Sequence, residues 1–352
     1  MAEGHDAAWR AWLQALPKAE LHVHLDGSLR PTTLLELGRA AGVALPADEP
    51  AALAAAMHVR DARSLDDYLA RFATTVAVMQ SAEALERIAF ELAEDLAQEG
   101  VWYVEVRFCP TLFTTRGLPL EEAVAAPLRG LRRAEARFGI RTAVILCALR
   151  HLDAHHSCTV AELALAFRDA GVVGFDLAGP EHGHPVAPHA AAFERVAREG
   201  LAITVHAGEA FGPPSIRQAL VEGRAHRIGH GVRLIDDPRW LAYVRDRRIP
   251  VEICLTSNVQ TRAVPDFASH PLRTFLAEGL LLSLNTDNRL MSATTVVEEY
   301  FRVHRYLGLR PADLARLALM SFDSAFLPWP EKQALLARAK ATLATLPPPA
   351  AA

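Results

Sequence analysis

ELHVHLDGS, residues 20–28, joins a short apolar run to a turn and places His22 and His24 near the end of that run. Side chains at positions i and i+2 of a strand point to the same face, so the two imidazoles are expected to project together. Asp26 in the turn either points into the same pocket or caps the next helix, as aspartate often does. Three further motifs end apolar runs later in the chain: HAGE at 206–209, GHG at 229–231 and TDN at 286–288.

These four motifs supply a mixed set of nitrogen and oxygen ligands, which is the set that borderline metals such as zinc favour. The aspartate of the last motif ends an apolar run, where a lone carboxylate is costly unless it is paired or bound to a metal. Because the motifs are far apart in sequence, they meet only if the fold gathers strand ends at one place. The candidate metal ligands are His22, His24, His206 and Asp287, with Glu209 and His230 expected beside them.

Strand-like and helix-like segments alternate through most of the chain and predict about eight β-then-α units. The strand-like runs are almost continuously apolar, as in parallel strands that helices cover on both faces. Eight such units can close into a barrel, whereas an open doubly wound sheet would not bring the ends of its first, fifth, sixth and eighth strands together. The predicted strands are AELHVHL, WYVEVRF, TAVILCAL, VVGFDLA, AITVHA, HRIGH, VEICLT and LLSLNT.

The sequence therefore predicts an α/β fold, a TIM-type (β/α)8 barrel that forms a single domain over residues 1–352. A helical stretch at about 43–99 exceeds what one barrel unit needs. It is interpreted either as an insertion that acts as a lid over the catalytic face or as a long helical connection. Residues from about 311 to 346 are expected to add C-terminal helices to the barrel.

The composition argues against nucleic acid and membranes as partners. The chain is 51% hydrophobic with a formal net charge of -4, so no basic surplus is available to neutralise phosphates. Four cysteines in a chain of 352 residues, with no C-x-x-C pair among them, are too few for a disulfide framework to be expected. The N-terminal segment lacks the apolar stretch of a signal peptide and no run is long enough to span a membrane, so a cytoplasmic location is expected.

Six stretches of the chain resemble, in the same order, the motifs of the adenosine deaminase family within the metal-dependent amidohydrolase-like barrels. The resemblance runs over nearly the whole length and is far more specific than a barrel pattern alone. Its eighth-strand motif is similar to that of a bacterial subgroup with NTDNRLMS. The six stretches are LPKAELHVHLDGSLRP (16–31), VVGFDLAGPE (172–181), TVHAGEAFG (204–212), RIGHGVRL (227–234), CLTSNVQT (254–261) and SLNTDNRL (283–290).

The resemblance implies one catalytic zinc ion and hydrolytic deamination of adenosine or 2'-deoxyadenosine to inosine or 2'-deoxyinosine plus ammonia. Zinc would activate a water for attack on C6 of the purine. Glu209 would deliver a proton to N1, although the residue type alone also suits the first turn of a helix. His230 would orient the attacking oxygen, with Asp287 as a second partner. The implied zinc ligands are His22, His24, His206 and Asp287.

The resemblance also implies contacts to a small-molecule purine nucleoside. The backbone at Gly179 would face N3 of the purine, although a turn glycine is an equal interpretation of the residues alone. Asp26 would accept hydrogen bonds from the ribose hydroxyls, and His24 would lie on the sugar side. Asn288 stands where many family members have a second aspartate that contacts N7, and its amide can still donate to that nitrogen.

Other readings of the sequence stay open at this point. The same chemistry would serve another 6-aminopurine: adenine, an N6-substituted adenine or aminodeoxyfutalosine. A different metal-dependent hydrolase is disfavoured because GFDLAG in the fourth predicted strand has no lysine to bridge two metals. A non-catalytic purine-binding barrel would require Glu209 and His230 to have no role. The sequence leaves the oligomeric state open.

Overall fold

The computed structural model describes residues 2–60 and 62–349. Eight strands lie side by side in chain order, and each neighbouring pair runs parallel. The strands are β1 (Lys18–His24), β2 (Val101–Phe108), β3 (Arg141–Leu149), β4 (Val172–Ala178), β5 (Ala202–Ala207), β6 (Arg227–His230), β7 (Val251–Ile253) and β8 (Leu282–Leu284).

The sheet closes between its first and last strands. Val23 in β1 pairs in parallel with Asp287, which follows β8. The N–H of His24 donates to the Asp287 carbonyl at 2.7 Å, and the N–H of Asp287 donates to the His22 carbonyl at 2.9 Å. The predicted (β/α)8 barrel is therefore confirmed, and its closure joins two of the sequence motifs directly.

Helices connect the strands and cover the barrel. Local sequence sets many of their ends: α2 begins at Pro31, where a missing N–H costs nothing, and ends before Gly42, whose φ is 65°. The helices are α1 (Ala2–Ala15), α2 (Pro31–Ala41), α3 (Pro50–Met57), α4 (Leu65–Leu69), α5 (Phe72–Val78), α6 (Ala82–Gln98), α7 (Leu120–Phe138), α8 (Ala154–Ala166), α9 (Ala190–Arg198), α10 (Pro213–Val221), α11 (Pro238–Asp246), α12 (Leu255–Gln260), α13 (Leu272–Ala277), α14 (Arg289–Ser292), α15 (Val296–Leu307), α16 (Pro311–Ser324) and α17 (Trp329–Thr345).

The stretch at about 43–99 contains α3, α4, α5 and α6. α6 packs against β2 and α7, so it belongs to the ring of helices around the barrel. α4 and α5 instead contribute Leu65, Tyr68 and Phe72 to the cavity at the carboxyl end of the strands. The division of the chain into barrel, insertion and C-terminal helices stays a prediction, although α16 packs on β8 and β1.

One predicted strand is wrong at its end. The prediction VEICLT extends to Thr256, but β7 stops at Ile253 and α12 begins at Leu255. The backbone N–H of Thr256 donates to the Glu299 carboxylate at 3.1 Å, and its hydroxyl contacts the same carboxylate. Glu299, a buried acid on α15, thus accepts the hydrogen bonds from Thr256 that a neighbouring strand would otherwise accept. The local sequence does not reveal this distant contact.

No helix in the described part of the chain combines the length and apolar character needed to cross a bilayer.

A buried ionic network lies inside the barrel beneath the carboxyl ends of the strands. Arg107 donates to Asp176 and to Glu252, both at 2.8 Å. Arg227 donates to Glu252 at 2.7 Å and also contacts Glu105. All five side chains are almost completely buried. Removing one partner of such a network leaves an uncompensated buried charge, which is far more costly than losing an exposed pair.

Replacing Arg227 with alanine is expected to lower the free energy of unfolding by about 3–5 kcal/mol, because Glu105 and Glu252 lose a shared cation inside the barrel. Urea denaturation of the purified protein measures the change. Arg195→Ala is the matched control: Arg195 pairs with Glu162 at the surface, and its removal is expected to leave the unfolding midpoint unchanged. Equal midpoints for the two variants would contradict a stabilising role for the network.

Candidate active site

The carboxyl ends of β1, β5, β6 and the segment after β8 bring the sequence motifs to one point. His22, His206, His230 and Asp287 are buried, and their ligand atoms all lie within 4.8 Å of one another. His24 joins them, because its Nε2 is 3.1 Å from Nε2 of His206 and 3.4 Å from Oδ1 of Asp287. The structure therefore places all four predicted ligands together, with His230 as a fifth neighbour.

Unusual backbone conformations aim two of these side chains. His230 and Asp287 have φ values of 63° and 60°, in the left-handed region that costs energy for residues other than glycine. Gly229 is needed for close packing, since a Cβ there would lie 3.1 Å from Cε1 of His22 and 3.2 Å from Cα of His206. The strained backbone at His230 and Asp287 therefore points these two side chains into the cluster.

Two buried carboxylates orient the histidines from below. Nδ1 of His22 lies 2.8 Å from Glu252, and Nδ1 of His206 lies 3.0 Å from Asp176. Arg107 binds both carboxylates and keeps them ionised. A carboxylate that accepts a hydrogen bond from Nδ1–H leaves Nε2 without a proton and available as a ligand, the usual arrangement around metal-bound histidine. The sequence alone indicated no role for Asp176 or Glu252, although each interrupts an otherwise apolar strand.

The donor set fits a metal ion. Nε2 of His22 is buried without a hydrogen-bond partner and lies 3.5 Å from Oδ1 of Asp287. Burial lowers the pKa of His24 and of His206, which keeps these rings neutral and able to bind a cation. Burial alone would raise the pKa of Asp287, but the histidines around its carboxylate hold it below its ordinary value. Neutral imidazoles beside an ionised carboxylate are a suitable set for a borderline dication.

Glu209 lies beside this cluster in a form suited to donating a proton. Its Oε1 accepts a hydrogen bond from the Thr261 hydroxyl at 2.9 Å, and its Oε2 is 3.5 Å from Nε2 of His230. Burial raises the pKa of Glu209 well above its ordinary range, and the negative charge of Asp287 raises it further. The sequence alone indicated no role for Thr261, which follows the short helix α12.

A second glutamate fixes the loop that carries Glu209. The buried carboxylate of Glu181 accepts backbone hydrogen bonds from four consecutive residues, 208–211, at 2.5 to 3.0 Å. Hydrogen bonds from several backbone N–H groups hold a loop more firmly than one contact does. Glu181 lies in the motif VVGFDLAGPE, yet its residue type alone gave no sign of this role.

A cavity of about 290 Å³ opens above the cluster. One wall is apolar and comes largely from α4 and α5, whereas the floor carries the polar groups of the motifs. Such a cavity, mostly apolar with a few convergent polar groups, is typical of small-molecule sites. The lining residues are His24, Asp26, Leu65, Tyr68, Leu69, Phe72, Ala73, Val76, Cys109, Leu112, Cys147, Leu149, His151, Ala178, Gly179, Pro180, His206, Glu209, His230, Asp287 and Asn288.

The four residues predicted to contact substrate, His24, Asp26, Gly179 and Asn288, line this cavity as well. Oδ1 of Asp26 and Oδ1 of Asn288 are buried without a hydrogen-bond partner, so both retain unused acceptor capacity. Gly179 has a φ of 93° and exposes its backbone to the cavity. Asn288 packs against Gly27, where any Cβ would come within 1.9 Å of the Asn288 oxygen. Gly27 is therefore required by the position of Asn288.

The barrel and its His–Asp cluster define the chain as a hydrolase of the metal-dependent amidohydrolase type. The family model for adenosine deaminase matches residues 17–342, so the chain belongs to the adenosine deaminase family. An adenosine deaminase from Mycobacterium sp. (strain JLS) is 46% identical over 339 residues, which cover 91% of this chain and 93% of the relative.

Solved structures of related enzymes share the whole fold. An N6-mAMP deaminase from Arabidopsis has a TM-score of 0.83 at 32% identity, covering 94% of this chain and 99% of its own. An amidohydrolase from Burkholderia ambifaria, solved with bound Zn, has a TM-score of 0.87 at 28% identity, covering 97% and 94%. The family, the fold and a cluster compatible with a metal ion are thus established together.

Asp287→Ala is expected to lower the metal content of the purified protein, because it removes the carboxylate that faces Nε2 of both His22 and His24. Elemental analysis after dialysis against limiting zinc measures the change. Asp26→Asn is the control, since Asp26 lies in the same cavity but has no contact with the histidines. Metal content that is equal in Asp287→Ala and the wild-type protein would remove Asp287 from the ligand set.

Proposed function

We propose that the protein is a zinc-dependent deaminase that converts adenosine and 2'-deoxyadenosine to inosine and 2'-deoxyinosine with release of ammonia. The observation that carries this proposal is a buried, protonatable Glu209 beside the His–Asp cluster at the floor of a small, mostly apolar cavity. A neutral carboxyl group at that place is able to protonate a ring nitrogen, and a cation-binding cluster next to it is suited to activating water.

One zinc ion is proposed as the cofactor. When bound, zinc lowers the pKa of a coordinated water to about 7 and so supplies a nucleophile at neutral pH. Glu252 and Asp176 hold the rings of His22 and His206 in the orientation that leaves their Nε2 atoms available. The proposed ligands are His22, His24, His206 and Asp287.

Glu209 is proposed to donate its proton to N1 of the purine as the attacking oxygen adds to C6. The protonated ring then accepts the incoming electron pair without becoming a full anion. His230 is proposed to hydrogen-bond and orient the attacking oxygen, and Asp287 to accept its proton. That proton passes to the amino group at C6, which leaves as ammonia. The second proton of the attacking water is proposed to leave the 6-hydroxyl group as the 6-oxo purine forms and to return Glu209 to its neutral form.

The remaining lining groups are proposed to recognise the nucleoside. The backbone at Gly179 would contact N3, and Asn288 would donate from its amide to N7. The unpartnered carboxylate oxygen of Asp26 is suited to ribose hydroxyls, with His24 on the same side. Tyr68 and Phe72 from α4 and α5 would cover the ring and keep water out, which is the proposed role of this part of the chain as a lid.

The cavity favours a nucleoside over a nucleotide. Among the described residues that line it, none is lysine or arginine. A 5'-phosphate is normally bound by such cations or by a helix N-terminus. N6-methyl-AMP is therefore disfavoured, and the free acceptor at Asp26 favours a substrate with a sugar over free adenine. Aminodeoxyfutalosine and N6-substituted adenines are the alternative substrates that the same chemistry would serve.

Glu209→Gln is expected to bind zinc and inosine normally but to deaminate adenosine about 10²–10⁴-fold more slowly, because an amide cannot deliver a proton to N1. Metal analysis, inosine binding by calorimetry and the rate of ammonia release give the three readouts. Glu194→Gln on α9, where the Glu194 side chain is 46% exposed and pairs with Arg198, is the control with expected wild-type behaviour. Wild-type turnover by Glu209→Gln would contradict the proposed proton donor.

A further inference from the structure

A chain of hydrogen bonds leads from His230 away from the metal cluster to the backbone of α13. Nδ1 of His230 lies 3.0 Å from Nδ2 of Asn258, and Oδ1 of Asn258 lies 3.2 Å from Nε2 of His270. Nδ1 of His270 accepts a hydrogen bond from the backbone N–H of Leu272 at 3.1 Å. The three side chains of His230, Asn258 and His270 are buried. Neither Asn258 nor His270 has a part in the mechanism described above.

The backbone N–H at the end of this chain fixes its direction. A backbone N–H can only donate, so Nδ1 of His270 must be without a proton. Burial lowers the pKa of His270 to about 3, so the ring is neutral and its single proton lies on Nε2. That N–H donates to Oδ1 of Asn258, and the assignment of the amide oxygen and nitrogen follows from this contact.

The orientation of the Asn258 amide fixes the position of the proton on His230 in the same way. Because its oxygen faces His270, Asn258 presents its N–H₂ group to Nδ1 of His230, which therefore accepts. An imidazole nitrogen that accepts a hydrogen bond carries no proton, so this ring is also neutral. Its proton must then lie on Nε2, the atom that faces Glu209 at 3.5 Å. This is the opposite tautomer from that of His22 and His206, whose Nδ1 atoms face carboxylates.

We propose that Asn258 and His270 are positioning residues that hold His230 as its Nε2–H tautomer. An imidazole in this form donates from Nε2 and has no lone pair there, so His230 does not bind the metal although it lies within the cluster. His24 then completes the ligand set. The consequence for the reaction rests on the proposed function: His230 donates a hydrogen bond to the attacking oxygen, and Asp287 is left as the group that accepts its proton.

Nitrogen-15 NMR of the zinc-loaded protein, with labelled histidine, tests the tautomer without any use of activity. The His230 signals are assigned by their loss in His230→Gln. The expected spectrum has a protonated Nε2 and an unprotonated Nδ1 for His230. A proton on Nδ1 of His230 in the wild-type protein would overturn the proposal, whether or not the protein deaminates adenosine.

Asn258→Asp tests the cause. A carboxylate at this position only accepts, so the proton of His230 is expected to move to Nδ1 while His270 still donates to the new residue. We expect kcat for adenosine to fall on the order of 10²–10⁴-fold, as a wrong histidine tautomer does in other enzymes, with KM and zinc content little changed. Unchanged His230 signals and an unchanged kcat in this variant would contradict the role of Asn258.

Two further variants complete the experiment. Ser257→Ala is the matched control on α12, because the Ser257 hydroxyl has no hydrogen-bond partner, and its spectrum and kcat are expected to match the wild type. Asn258→Ala replaces the aspartate variant if that one does not fold, and it is expected to give mixed His230 tautomers with a lower kcat. If the wild-type protein gives the expected spectrum but does not deaminate adenosine, that result would contradict only the proposed function.

Discussion

The pairing of β1 with the segment after β8 is the interaction on which the site depends. Backbone hydrogen bonds between Asp287 and both His22 and His24 close the barrel, and they also set the spacing of three candidate ligands. The histidines at the ends of β5 and β6 then reach the same point because the barrel is continuous. The geometry of this candidate metal site is fixed by sheet register, which is more rigid than the geometry of a site assembled from loops.

The histidines of the site differ in the group that contacts their Nδ1 atoms. Glu252 and Asp176 accept from Nδ1 of His22 and His206, and the Arg107 guanidinium keeps both acids ionised beneath the barrel mouth. Nδ1 of His230 instead accepts from the amide of Asn258, so His230 has the opposite tautomer from His22 and His206. We therefore propose different roles for these rings: His22 and His206 bind a cation, and His230 donates a hydrogen bond. Arg107, as the shared partner of both acids, couples the stability of the core to the chemistry above it.

The sequence predicted the barrel because its strands are apolar runs that alternate with amphipathic helices, and it predicted the cluster because the motifs stand at strand ends. It did not reveal Thr261 or Asn258, since both lie on or after α12, a helix that replaces the end of a predicted strand through a distant contact with Glu299. Glu181 was equally hidden, because its role consists of backbone contacts to a loop nearly thirty residues away. Periodicity reports which face of an element is buried, but polar partners that meet across the barrel depend on the closed fold.

Ammonia release by the zinc-loaded protein, measured against adenosine, 2'-deoxyadenosine, adenine, N6-methyladenine and 5'-substituted adenosines, tests the central claim most directly. We expect fast turnover of the two nucleosides and little turnover of free adenine or of a 5'-phosphate, because Asp26 offers a contact to the sugar and the described cavity lining offers no cation to a phosphate. Turnover confined to a free base or to a 5'-phosphorylated substrate would contradict the proposed substrate. No turnover of any 6-aminopurine by the zinc-loaded protein would contradict the proposed reaction itself.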